Sequence, residues 1–424
     1  MKRRILASCV LLGVLTGWPA FAWELENPDK DLTLAKAMSL ALLQNPTLAA
    51  YSWEIRAREA EALQAGARPN PILGVEVENF AGSGDYSGLG GSETTLALSQ
   101  LLRLGGKGTK QERLADLDRQ LADWDYETQR INILADVTQA FNAVLAAQER
   151  VTIANQLRDV AVEFLETVSR RVTAGGASPV ERTRARVALA ESELLHKELQ
   201  GSLVIDRLRL GELLGLAAPR FAAAVGNLEA VELPPPLVQF TDQAGMNPYV
   251  RRWETEMERQ QANLALQKAL GKPDLTVFAG VRRFAETSSN GLILGVELPL
   301  PVSDRNQRAQ EASGHRVSEA RESQRAARTL VASQIAQVHA AWTAAYNAAV
   351  TLTDTIIPDA QTALETARDG YGRGLFRLTD VLDTQRTLFE LHDQRVAALE
   401  NYHTSRAAMD RLVGLPMTNQ EDSK

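Results

Sequence analysis

Leu73-Gly74-Val75-Glu76-Val77-Glu78 alternates apolar residues with small or acidic ones, and soon afterwards the chain changes to helical spacing and keeps it from about Lys107 to Val172. A period of two puts Leu73, Val75 and Val77 on one face of a strand and Gly74, Glu76 and Glu78 on the other. In the helical stretch Leu114, Leu117, Leu121, Trp124, Thr128, Ile131 and Ala135 recur at threes and fours, and a second stripe runs through Leu134, Val137, Phe141 and Val144. This is the heptad spacing of coiled-coil packing. At 1.5 Å per residue the stretch makes a rod roughly 100 Å long. A one-sided strand leading into such a rod defines the fold class: mixed but mainly α, with long coiled-coil helices and a smaller β part.

Both features occur twice. Asn45-Pro46 opens a helical stretch in the first half and Asn247-Pro248 in the second, and each stretch runs to a Pro-bounded extended segment. Further strands place Leu96 and Leu98 opposite Ala97 and Ser99, Leu275, Val277 and Val281 opposite Thr276 and Arg282, and Leu292, Leu294, Val296 and Leu298 opposite Gly295 and Glu297. The second rod carries Val331, Ile335, Val338, Trp342, Ala345, Ala349 and Leu352, with a kink or break expected at Ile357-Pro358. The expected organisation is an export signal over 1–22, a first repeat over 23–232, a Pro-rich linker over 233–246, a second repeat over 247–416 and a tail over 417–424. Duplication suits a subunit whose halves take equivalent places in a ring, although a simple tandem duplication has the same signature.

Lys2, Arg3 and Arg4, the apolar run from Ile5 to Trp18 and Ala20-Phe21-Ala22 form the basic head, core and cleavage site of an export signal. Removing it takes the formal net charge from −7 to −10. Such a balance argues against nucleic acid as a partner, because that binding neutralises phosphates with Lys and Arg. Cys9, the one cysteine, lies inside the signal, so the mature chain has no disulfide or Cys-based metal site. Leu6-Ala7-Ser8-Cys9 has the letters of a lipidation box but follows the basic head too closely to be read as one. Beyond the signal no run of about 18 apolar residues remains, which leaves a closed barrel as the way to span a membrane. Four strands cannot close one alone, so oligomerisation is expected.

Pro69-Asn70-Pro71 through Val75-Glu76-Val77-Glu78-Asn79-Phe80, the Gly-rich loop, Glu93-Thr94-Thr95-Leu96-Ala97-Leu98-Ser99-Gln100 and Leu104-Gly105-Gly106-Lys107 together resemble the TolC family of outer-membrane efflux proteins, in its heavy-metal-efflux, CzcC-like branch. Leu298-Pro299-Leu300-Pro301 with Asp304-Arg305-Asn306-Gln307 is the second-half counterpart. The resemblance covers nearly all of the mature chain. It implies a homotrimer with a twelve-stranded barrel in outer-membrane lipid and a twelve-helix periplasmic tube, working with a periplasmic adaptor and an inner-membrane RND-type pump to export heavy-metal cations. Leu101-Leu102-Arg103 departs from the branch, which often has Pro and an acidic residue there, so drugs or other small molecules are the alternative cargo.

The resemblance also assigns residues. Gly175 and Gly374 fill the turns at the periplasmic tips and, with Leu375, would face the adaptor. The sixth residue after each glycine is acidic, Glu181 and Asp380. Thr379-Asp380-Val381-Leu382-Asp383 is similar to the family's pore-closing segment, in which Asp380 and Asp383 of three chains would ring the axis. Their spacing fits first-turn helix capping equally well. Tyr371 and Glu181 match members of the entrance latch, while the position expected to hold Arg is Phe376, with Arg377 one step later. Glu76, Glu78 and Glu297 would line the barrel lumen, where they either favour cations or supply polarity alone.

No catalytic residue or cofactor is indicated. Leu104-Gly105-Gly106-Lys107-Gly108-Thr109 has Leu101 in place of the first glycine of a phosphate loop and Gly108 after the lysine. His196, His315, His339, His392 and His403 lack metal-ligand spacing with a carboxylate, and a duct needs no resident metal. A pore-less periplasmic scaffold or adhesin would explain the heptads, but not four one-sided strands at matched positions.

Overall fold

The computed structural model of the chain describes residues 30–218 and 221–414; the signal, Cys9 and the 417–424 tail lie outside the described residues. The chain opens with β1 (Leu32–Thr33), α1 (Leu34–Gln44) and α2 (Pro46–Gly66). The hairpin β2 (Ile72–Glu78) and β3 (Glu93–Leu102) follows, then α3 (Lys107–Thr173) and α4 (Pro179–Leu213). β4 (Ala224–Val225) and a one-turn helix, α5 (Val238–Thr241), occupy the connection. The second half continues through α6 (Pro248–Leu270), β5 (Leu275–Phe284), β6 (Ser289–Glu297), α7 (Gln307–Thr351), α8 (Ile357–Gly372) and α9 (Leu378–Val413). α3 alone spans 67 residues, and the heptad residues Leu117, Leu121, Ile131, Phe141 and Val144 are buried along it.

The second rod stays helical through Ile357-Pro358, where a kink or break was expected, but changes form just before the proline. Pro358 has no N–H for the carbonyl of Asp354, and its ring crowds that oxygen. The helix responds by widening into five residues of π-helix, Leu352–Ile356, before α8 resumes.

The main sheet has the order β2-β3-β5-β6, antiparallel throughout, so the halves join through β3 and β5. Pairs such as Val75↔Leu96, Leu96↔Val281 and Val281↔Leu292 gather the apolar residues of all four strands on one face. Among the described residues nothing covers that face: Leu292 and Leu294 are 86% and 82% exposed, and Leu73 and Val75 are exposed beside them. β2 and β6 are open edges.

Two asparagines hold the halves in the same way. Asn45 Oδ1 caps α2 by accepting from Thr47 N at 2.9 Å while its Nδ2 donates to Leu213 O at 2.9 Å. Asn247 Oδ1 accepts from Tyr249 N at 2.8 Å and its Nδ2 donates to Leu412 O at 2.8 Å. Each therefore ties the start of one helix to the last turn of the helix that ends its half. At the sheet–rod junction the buried Lys107 ammonium donates to Asp274 Oδ1 and Lys272 O, both at 2.7 Å, crossing from one half to the other.

The connection packs onto the rods instead of hanging free. β1 and β4 pair in parallel, with Gln148 bridging Ala224 through its carbonyl and its N–H at 2.9 Å each. His339 contacts Pro235 O and His403 contacts Leu228 O, each at 2.8 Å. Burial holds His403 below the ordinary imidazole range; since a carbonyl oxygen can only accept, its Nε2–H is the donor.

Candidate functional site

At the far end from the sheet, both helix pairs turn in the same manner. Gly175 and Gly374 have φ of +77° and +80°, the left-handed conformation that glycine adopts without a Cβ penalty. Gly175 N and Gly176 N bond to Val172 O and Arg171 O, while Gly374 N and Leu375 N bond to Tyr371 O and Gly370 O. Each turn is a Schellman motif. Leu375 projects from the second turn, 73% exposed.

The acidic residue six positions after each glycine occupies the third position of the next helix, where it reaches back to an orphan N–H. Glu181 Oε1 accepts from Ser178 N at 3.2 Å, and Asp380 Oδ2 accepts from Arg377 N at 2.9 Å. The capping reading of Asp380 is therefore realised in the chain. Capping leaves one oxygen of each carboxylate for other use. Glu181 Oε2 accepts from the Tyr371 hydroxyl at 2.8 Å, linking the first turn of α4 to the last turn of α8. Asp383 pairs with Arg386 at 2.7 Å and stays exposed.

Tyr371 is buried against Phe164, with ring centroids 5.4 Å apart. Burial, followed by the hydrogen bond and charge of Glu181, pushes its phenol up to about 12. The Arg171 guanidinium acts in the opposite direction: it stacks 4.4 Å from the Tyr371 ring centre, donates to Tyr371 O and reaches Gly176 O at 3.1 Å. Arg171 thus ties both tip turns to the link. Arg377 does not share this site, since among the described residues its ion partner is Asp380 at 3.6 Å. Sequence reasoning missed Arg171 because it and Tyr371 lie 200 residues apart. Basic residues in the last turn of a helix are ordinary C-terminal companions and give no local signal.

At the sheet, Glu76, Glu78 and Glu297 lie on the face opposite the apolar one, in register with Thr95, Glu93 and Thr276. Glu78 does not stand alone, because Arg282 pairs with it at 3.0 Å and with Glu93 at 2.9 Å.

A sheet that is apolar on one side and polar on the other, open at both edges and mounted on rods that end in a bonded tip, has the build of an outer-membrane duct component. The chain belongs to the outer membrane efflux protein family, whose pattern matches residues 37–216 and 244–415. It is 34% identical to the cobalt-zinc-cadmium resistance protein CzcC of Cupriavidus metallidurans, over 93% of this chain and 92% of that one. It is 24% identical to the nickel-cobalt-cadmium resistance protein NccC of Alcaligenes xylosoxydans xylosoxydans, over 75% and 71%. The fold is that of the solved channel CusC, with a TM-score of 0.77 at 19% identity, covering 91% of this chain and 93% of the other.

Proposed function

We propose that three copies of the chain close their sheets into a twelve-stranded outer-membrane barrel and their rods into a periplasmic tube, forming the exit duct of a tripartite system that exports heavy-metal cations. The observation that carries the cargo is the 34% identity, over 93% of the chain, to a protein named for cobalt, zinc and cadmium resistance. Trimer closure is supported by the open edges of β2 and β6, whose N–H and C=O groups need partners in hydrocarbon. The uncovered apolar face meets lipid, and the face of Glu76, Glu78 and Glu297 meets the lumen.

The duct supplies no energy; an RND-type inner-membrane pump does so through a periplasmic adaptor that meets the tips at Gly175, Gly374 and Leu375. The Glu181–Tyr371 link holds the entrance. Asp380 and Asp383 ring it with carboxylates that attract cations and repel anions.

The test is a strain lacking the gene, grown against cobalt, zinc, cadmium and a panel of drugs. Lost metal tolerance, restored by the gene in trans, is expected. Unchanged metal tolerance together with new drug sensitivity would replace the cargo while leaving the duct in place.

A further inference from the structure

Arg282 lies on the polar face of β5, and its side chain runs across the sheet instead of into the open. Nε donates to Thr95 Oγ1 on β3 at 2.9 Å, one terminal nitrogen pairs with Glu93 Oε2 at 2.9 Å, and the other pairs with Glu78 Oε2 on β2 at 3.0 Å. The register explains this reach. Thr95 is the direct partner of Arg282, Glu78 and Glu93 are partners of each other, and Gly291 opposite Arg282 on β6 offers no competing side chain. Glu93 also accepts from Asn79 Nδ2 at 3.1 Å. The cluster sits where the strands are joined by hairpin loops and not by rods, at the end of the sheet farthest from the periplasmic tips.

We infer that Arg282 sets the ion preference of the duct's outer mouth by masking two lumen carboxylates; the inference rests on the duct reading. Without the guanidinium, Glu78 and Glu93 would place two uncompensated negative charges per chain beside Glu76. With it, the same cluster carries one. In a water-filled passage the fixed wall charge sets the local excess of cations over anions. Conduction also requires that binding be weak enough for ions to leave. Partial masking keeps the exit permissive to cations without making it a trap. If Arg282 were only a staple across three strands, its loss would loosen the sheet and leave selectivity alone.

The test is the potassium-to-chloride permeability ratio, taken from reversal potentials of the full mature protein in planar bilayers at low salt, where screening extends over about 30 Å. R282Q is expected to raise the ratio roughly two-fold or more, the effect of one added charge sensed across about 10 Å of water. R282K, which keeps the charge, should leave it close to wild type, and E78Q/E93Q, which takes the cluster from one negative charge to one positive, should lower it by roughly four-fold or more. If R282Q does not assemble, the R282K and E78Q/E93Q channels decide the matter. Channels of ordinary conductance with one common ratio would overturn the masking role. Absence of any conductance from the wild-type protein would instead strike the duct reading beneath it.

Discussion

Tyr371 joins three kinds of interaction at one phenol: a hydrogen bond to Glu181, aromatic packing on Phe164 and a guanidinium over the ring. The phenol must be protonated to donate, and its affinity for that proton is raised from 10.0 to about 12 in the folded chain. Stabilisation from the link is therefore complete below pH 10 and is lost as pH climbs through about 12. Tyr371→Phe removes a bond to a charged acceptor, worth about 1.5–3 kcal/mol, and should raise basal conductance in planar bilayers at neutral pH. Wild type is expected to show an alkaline rise in conductance as pH climbs towards 12, and Tyr371→Phe should abolish it. In the same recordings, block by multivalent cations should disappear from the Asp380→Ala, Asp383→Ala double variant; undiminished block would remove these two residues from the gate. Tyr371 and Glu181 could be matched from sequence through the family resemblance, and Glu181 also through its offset of six residues from a tip glycine. Arg171 could not, since its partners are created only when the two hairpins come side by side.

Helices and strands declared themselves by period. The rod expected from about Lys107 to Val172 is Lys107–Thr173 in the chain, because its buried stripes repeat without a glycine or proline to interrupt them. A disturbance near Ile357-Pro358 was legible from the missing N–H, but its form, a π segment that keeps the rod continuous, was not. The paired β1 and β4 have two residues each and carry no periodic signal. Asn45 and Asn247 were visible as the start of each half, yet the second bond of each, to the final helix of that half, is a tertiary feature. Asn247→Ala loses an N-cap, about 1 kcal/mol, and leaves the buried bond to the Leu412 carbonyl unmade, about 1–3 kcal/mol more. The variant should unfold at lower temperature than wild type, with Asn247→Asp in between because it keeps the cap and loses the donor. Equal midpoints for all three would show that these ties contribute nothing.

For the whole molecule, the decisive feature is what a single copy leaves undone. Its sheet exposes a continuous apolar face and two unpaired edges, features that water-soluble chains avoid. In the proposed duct, lipid on the face and neighbouring copies on the edges would remove the cost of leaving them so. Alternation in the four strands made the one-sided sheet readable in advance. The identity of the strand neighbours within the chain, β3 against β5, emerged only from the fold. The most direct measurement is the protein mass of the detergent-solubilised particle, by light scattering with the detergent contribution subtracted. About three times the mass of one chain, which is 46.3 kDa over the full sequence, is the predicted result. A particle holding a single chain while its sheet remains folded would contradict closure by three copies and the duct built on it.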